Sequence, residues 1–133
     1  MQRITGMLVA GVASVFFAAM APQTSAAPVV QGGKDGVCDN GEFCLYTQTG
    51  QHGSVVDRRA YETDLSTTHV RNGAASWRNL TGVDWMLFDG VRCTGNTYRL
   101  HVADGNAHDI HPSWRKRIKS IARVDRTGAC RNG

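Results

Sequence analysis

Leu45-Tyr46-Thr47-Gln48-Thr49-Gly50-Gln51-His52-Gly53 can be laid over Leu87-Phe88-Asp89-Gly90-Val91-Arg92-Cys93-Thr94-Gly95 without a gap. Leucine falls on leucine, aromatic on aromatic and glycine on glycine, at a constant offset of 42 residues. Further along, Val70-Arg71-Asn72-Gly73-Ala74-Ala75-Ser76-Trp77 aligns with Trp114-Arg115-Lys116-Arg117-Ile118-Lys119-Ser120-Ile121 at an offset of 44, which sets Ser76 against Ser120. One supersecondary unit is used twice, in halves spanning about 37–80 and 81–130.

The unit reads as a folded hairpin. Tyr46 precedes Gly53 by seven residues, and Phe88 precedes Gly95 by the same interval. A ring so placed covers a tight bend whose glycine takes positive φ at no steric cost. Ser76 and Ser120 are expected to hydrogen-bond the bend from a neighbouring strand, satisfying backbone groups that it leaves open. Elsewhere apolar residues alternate: Tyr98, Leu100 and Val102 against Arg99 and His101, then Ile118, Ser120, Ala122 and Val124 against Lys119, Arg123 and Asp125. Period two predicts strands with one buried face, and glycines at 41, 50, 53, 73, 82, 90, 95 and 105 supply the turns between them. No segment predicts a long helix, although Tyr61 to Ser66 fits one short turn. The expectation is an all-β fold, two similar four-stranded units packed face to face as a Greek-key sandwich.

Upstream, Met1-Gln2-Arg3 leads into the apolar run Ile4 to Ala21 and then a segment of small and polar residues. That order is a secretory signal, with cleavage expected after Ala26. The alternative is a retained anchor, since a run of this length approaches the roughly 20 residues that span a bilayer. Residues 27–36 have the composition of a flexible leader, and 37–130 are expected to form one domain with one modest core. Export would deliver Cys38, Cys44, Cys93 and Cys130 to an oxidising compartment, so two disulfides are expected. Three connectivities are open. The turn signal Asp39-Asn40-Gly41 favours Cys38 with Cys44, and therefore Cys93 with Cys130.

Loss of Arg3 with the signal leaves 14 Lys and Arg against 11 Asp and Glu. The charge is uneven. From His111 to Gly133 there are seven basic residues and one acid, Asp125. Such a patch can meet an acidic partner, but it lacks the aromatic stacking platform or groove-reading motif of a nucleic-acid binder. A solvated outer face is the plainer reading, and no nucleic acid is expected as partner.

The paired spacing of aromatic, glycine and distant serine resembles the βγ-crystallin Greek-key motif. CDNGEFCLYTQTGQHG, YETDLS, VRNGAASWRN and WRKRIKSIARV together resemble the secreted crystallin-like proteins of peptidase inhibitor family thirty-six, whose type member inhibits metalloproteinases. The resemblance implies a secreted metalloproteinase inhibitor with a βγ-crystallin-like fold. Two departures stand out. Gln51 and Cys93 occupy the positions where crystallin motifs carry a second aromatic. Where the calcium-binding pattern has two Asn or Asp, two variable residues, then Ser or Thr and Ser, the corresponding stretches here are Arg71-Asn72-Gly73-Ala74-Ala75-Ser76 and Arg115-Lys116-Arg117-Ile118-Lys119-Ser120. Calcium requires hard oxygen ligands, so a poor site is expected in the first half and none in the second. The type member's inhibitory loop is held by a second short cysteine bridge; here only Cys93 lies in that region.

No catalytic grouping assembles from the sequence. The cysteines are committed to disulfides, no Gly-x-Ser-x-Gly or phosphate-binding loop occurs, and no cofactor is expected. His108-Asp109-Ile110-His111 has a zinc-ligand spacing, but Pro112 and Asp104-Gly105-Asn106 around it predict a loop bearing surface histidines. His52 and His69 read as solvent-facing. Trp77, Trp85 and Trp114 suggest core packing before any stacking role, and Asn79-Leu80-Thr81 fits a glycosylation acceptor. The chain is therefore expected to be a non-enzymatic monomer, free of the membrane once its signal is removed, that binds an extracellular protease. A preorganised loop does this with little entropy loss. Asp89, Gly90, Val91, Arg92, Cys93 and Thr94 are the candidate inhibitory loop, with Thr47 to His52 as its counterpart. The alternative is a non-inhibitory structural or toxin-like module that binds a cell-surface or envelope component through the basic patch.

Overall fold

The computed structural model describes residues 34–133. The expected signal peptide, residues 1–26, and most of the leader lie outside the described residues. The strands are β1 (Phe43–Gln48), β2 (His52–Arg58), β3 (Tyr61–Glu62), β4 (Ser76–Asn79), β5 (Trp85–Phe88), β6 (Thr97–Leu100), β7 (Ala107–Asp109) and β8 (Ser120–Arg123), followed by a short helix α1 (Thr127–Asn132). They form two four-stranded antiparallel sheets in the orders β2-β1-β4-β7 and β3-β8-β5-β6. The architecture is all-β and built as a Greek-key sandwich, as the repeat predicts.

The sheets differ from the sequence halves in one respect. β3 comes from the first half but pairs with β8, Tyr61 against Ala122. β7 comes from the second half but pairs with β4, Trp77 against His108. Each half lends one strand to the other, so the repeat boundary and the sheet boundary do not coincide. The chain makes the change of sheet just after each folded hairpin, through Arg59 and Ala60 between β2 and β3 and through residues 101–106 between β6 and β7, as the Greek-key connection requires.

The space between the sheets is filled by Phe43, Leu45, Val56, Leu65, Trp77, Trp85, Leu87, Leu100 and Ile121, with Val70, Ile110 and Ile118 closing its ends. Phe43 of β1 stacks on Trp85 of β5, ring centroids 4.5 Å apart, a contact of the kind worth about 1 kcal/mol beyond simple burial.

Part of each outer face is also covered, and here the alternation is misleading. On β8 the sequence assigns Ile118, Ser120, Ala122 and Val124 to the core. In the structure Ile121 is the core residue, while Ser120 and Ala122 point to the outer face and are nonetheless buried. The reason is a second apolar cluster of Phe88, Cys93, Ala122 and Cys130, flanked by Tyr61 and Met86, where α1 lies over the sheet. Ile118 is a core residue, as expected, but lies before the strand; Val124 follows it, and exposed Val102 lies in a 3-10 turn beyond β6. The polar C-terminal stretch is thus part of the fold. On the first sheet the chain before β1 plays the same part: the Asp35 and Gly36 amides donate to the buried Asp57 carboxylate, at 3.0 and 3.4 Å. Tyr61 to Ser66, read as one helical turn, divides into β3 and the start of a 3-10 turn at Leu65–Thr67.

Two disulfides join Cys38 to Cys44 and Cys93 to Cys130. The described residues contain no free cysteine and no helix long and apolar enough to cross a membrane.

Candidate functional site

The aligned segments form two bends that match atom for atom in their backbone fastening. Ser76 Oγ donates to the Gln48 carbonyl at 2.6 Å and accepts from the Gln51 amide at 2.9 Å. Ser120 Oγ donates to the Gly90 carbonyl at 2.6 Å and accepts from the Cys93 amide at 2.8 Å. Each serine is fully buried and pins the bend of its own unit from an adjoining strand. At the mouth of each bend a side chain accepts from the amide seven residues on: Thr47 Oγ1 from Ser54 at 3.0 Å, Asp89 Oδ1 from Asn96 at 2.7 Å. These acceptors lie where a Cβ on Gly53 or Gly95 would fall, and both glycines have positive φ, 85° and 82°. No other residue fits there without strain. Tyr46 and Phe88 are buried in the strands leading into the bends.

The second bend is the more firmly held. The Gly90 amide donates to the Thr94 carbonyl at 3.0 Å, and Thr94 Oγ1 to the Val91 carbonyl at 2.6 Å. The Arg92 amide donates to the Thr63 carbonyl of the first half at 2.7 Å, just as the Gly50 amide of the first bend donates to Asp109 Oδ1 of the second half at 2.8 Å. From α1, Arg131 Nε donates to the Cys93 carbonyl at 3.2 Å, beside the Cys93–Cys130 disulfide. Asp89 also accepts from Asn96 Nδ2 and Arg117 Nη2, each at 2.9 Å. The Asn96 side chain first, then Arg117, holds the Asp89 carboxyl below the usual carboxylate range. Thr63, Arg117 and Arg131 are supports that sequence reading does not single out; a bond to a main-chain carbonyl leaves no trace in residue type.

Two side chains are exposed at the tip of this bend: Val91, which is 46% exposed, and Arg92, whose Nη2 reaches back to donate to the Arg131 carbonyl of α1 at 3.4 Å. Arg92 and Cys93 have φ of 54° and 55°; their equivalents in the first bend are Gly50 and Gln51, at 68° and 60°. The same left-handed backbone is occupied by glycine in one half and arginine in the other.

The remaining candidates do not converge. His108 lies in β7, not in a loop, with Nε2 against the Asp104 carbonyl, while His111 Nδ1 meets Ser113 Oγ at 2.7 Å. Ile110 between them is buried. Among the described residues no group of three or more His, Cys, Asp and Glu side chains is arranged to hold a metal ion. Trp77 and Trp85 are buried and Trp114 is partly so. Asn79 is 3% exposed, with Nδ2 donating to the Val83 carbonyl, so the nitrogen of the glycosylation pattern is already used.

Two sheets that exchange a strand, with a serine-pinned bend in each unit, define a βγ-crystallin-type Greek-key domain. A βγ-crystallin from Ciona intestinalis superposes with a TM-score of 0.52 at 17% identity, over 62% of this chain and 99% of that one. The N-terminal domain of protein S superposes at 0.51 and 19% identity, over 62% and 97%. A domain solved in a study of how the eye lens βγ-crystallin fold evolved gives 0.53 and 20%, over 65% and 91%. These likenesses concern the fold. Residues 32–100 match the model of peptidase inhibitor family I36, and the chain belongs to that family. No curated protein matches it.

Proposed function

We propose that the chain is exported, loses residues 1–26, and acts outside the cell as a peptidase inhibitor, with a metalloproteinase as target and residues 89–94 as the contact. Membership of the inhibitor family supports the general role. A non-enzymatic part fits that membership, and the two disulfides suit an oxidising compartment. On this reading residues 27–36 are the leader and 37–130 the working domain.

One observation carries the assignment of the loop: Arg92 in a left-handed conformation where the other half uses Gly50. A non-glycine residue in this region carries a cost of order 1–3 kcal/mol and persists where surrounding structure enforces it, commonly at functional sites. The surrounding structure is the Thr63 carbonyl, Ser120, α1 and the Cys93–Cys130 disulfide. The bend is preorganised, so little freedom is lost on docking. Its backbone at Arg92 and Cys93 is far from the extended form that a protease cleft requires of a substrate strand. The loop therefore engages its target through the side chains of Val91 and Arg92, and the bond between Arg92 and Cys93 is a poor substrate.

The test is a titration of a thermolysin-type metalloproteinase, with a serine protease alongside, using the oxidised chain beginning at Ala27. A stoichiometric end point with the metalloproteinase, weakened by Arg92→Ala and leaving the inhibitor uncut by mass spectrometry, is the expected result. No inhibition of either enzyme at micromolar protein overturns the reading; inhibition unaffected by Arg92→Ala and Val91→Ala moves the contact elsewhere.

A further inference from the structure

Of the cationic side chains in the basic C-terminal region, Arg117 and Arg131 hydrogen-bond the loop. Two of its other cations line a shallow concavity of about 160 Å³ formed by Thr47, Asn72, Gly73, Ala74, Ala75, Arg115 and Lys116. It lies where the two aligned segments Val70–Gly73 and Trp114–Arg117 meet. Gly73 packs so closely on the facing turn that a Cβ there would come within 2.7 Å of the Arg115 carbonyl oxygen.

Three features give this concavity one sign. No carboxylate lines it. Among the described residues neither Arg71, Arg115 nor Lys116 has an ion-pair partner. The backbone N–H groups of Asn72, Ala74 and Lys116 have no acceptor among the described residues, although Ala74 is 2% exposed. Arg115 is held in place by donation from Nε to the Ile110 carbonyl at 2.9 Å, and its terminal nitrogens have no ion-pair partner among the described residues. Free amides grouped beside a fixed guanidinium and an ammonium are the elements of an oxyanion-binding nest.

We infer that this concavity is a binding site for a tetrahedral oxyanion, a phosphate or sulfate group, held by Arg115, Lys116 and the free amides of the two turns. Its size suits one such group rather than an organic ligand. The site is independent of the peptidase reading, being built from other residues. A sulfated or phosphorylated surface polymer would present many such groups, and a chain anchored on one could still expose residues 89–94.

The experiment follows the backbone amides of the isotopically labelled, oxidised chain by NMR during titration with inorganic phosphate, with sodium chloride at matched ionic strength as control. Saturable shifts at Asn72, Ala74 and Lys116 are expected with phosphate and not with chloride. Lys116→Glu should weaken this response about tenfold, the loss of one charge-assisted contact, and Lys119→Glu, outside the concavity, should leave it intact. A sulfated polysaccharide should shift the same amides if the group is read on a polymer; phosphate alone doing so makes the ligand a free anion. Shifts spread over all basic residues, equal for chloride, or equally affected by the two variants, overturn the proposal.

Discussion

Gly50 and Arg92 stand at equivalent points of two bends 42 residues apart, with left-handed φ of 68° and 54°. Glycine adopts this backbone freely, whereas a residue with a Cβ is disfavoured there by roughly 1–2 kcal/mol. Arg92→Gly is therefore expected to stabilise the domain by about 1 kcal/mol after allowing for the extra freedom of glycine in the unfolded chain. The same change should weaken peptidase inhibition about tenfold or more. Thermal unfolding and inhibitor titration on one preparation check both effects, and a variant of unchanged or lower stability would remove the strain argument for Arg92.

Ser120 and Ser76 do equivalent work in unequal surroundings. The hydrogen bond from the Cys93 amide to Ser120 is buried, whereas that from Gln51 to Ser76 is partly open. Ser120→Ala should cost about 2–3 kcal/mol, because two backbone groups are stranded, and Ser76→Ala about 1–2 kcal/mol, since water can reach its partners. Urea unfolding of the two variants should give that order.

The two disulfides span 6 and 37 residues. On loop-closure grounds, removing Cys93–Cys130 should cost about 4 kcal/mol and removing Cys38–Cys44 about 2 kcal/mol. The larger loss has a local signature as well. Freed of its tie, α1 uncovers Phe88 and Ala122, so hydrogen exchange in the double variant Cys93→Ser, Cys130→Ser should accelerate first along residues 120–132.

Asp89, Asp84 and Asp64 are each held below the ordinary carboxylate range by hydrogen-bond donors, chiefly the Asn96 side chain, the Val102 amide and Ser66 respectively. A carboxyl depressed in the folded state stabilises above its unfolded value of about 3.9 and loses that contribution as pH falls through the folded value. Stability should be flat from neutrality to about pH 5 and decline below about pH 4. Asp89→Asn should lessen the acid-side slope, as read by urea midpoints at several pH values.

Much of the fold is legible in the sequence because a repeat is a statement about geometry. Tyr46 and Gly53 recur as Phe88 and Gly95, and a bend that needs glycine at positive φ needs it in both copies. The exchange of β3 and β7 is not legible, since Tyr61-Glu62 and Ala107-His108-Asp109 are too short and too polar to announce a partner sheet. The outer-face burial of Ser120 and Ala122 fails to register for a related reason: alternation assumes one wet face, and α1 removes it. At the bend, the side-chain pins can be found by aligning the halves, whereas the Thr63 carbonyl that holds Arg92 belongs to the backbone and carries no residue signature.

The exchange of one strand between the halves has a consequence for how the molecule can be divided. A chain cut between residues 80 and 81 yields fragments that each bring three strands of one sheet and a single strand of the other. Neither can close a core alone, because the core is built from residues of both, as where Phe43 of β1 stacks on Trp85 of β5. Mixed together, the two pieces hold all eight strands and should complement one another into the native domain. The same interdependence makes unfolding all-or-none across both bends, so the half that carries Arg92 cannot be excised as a smaller inhibitor.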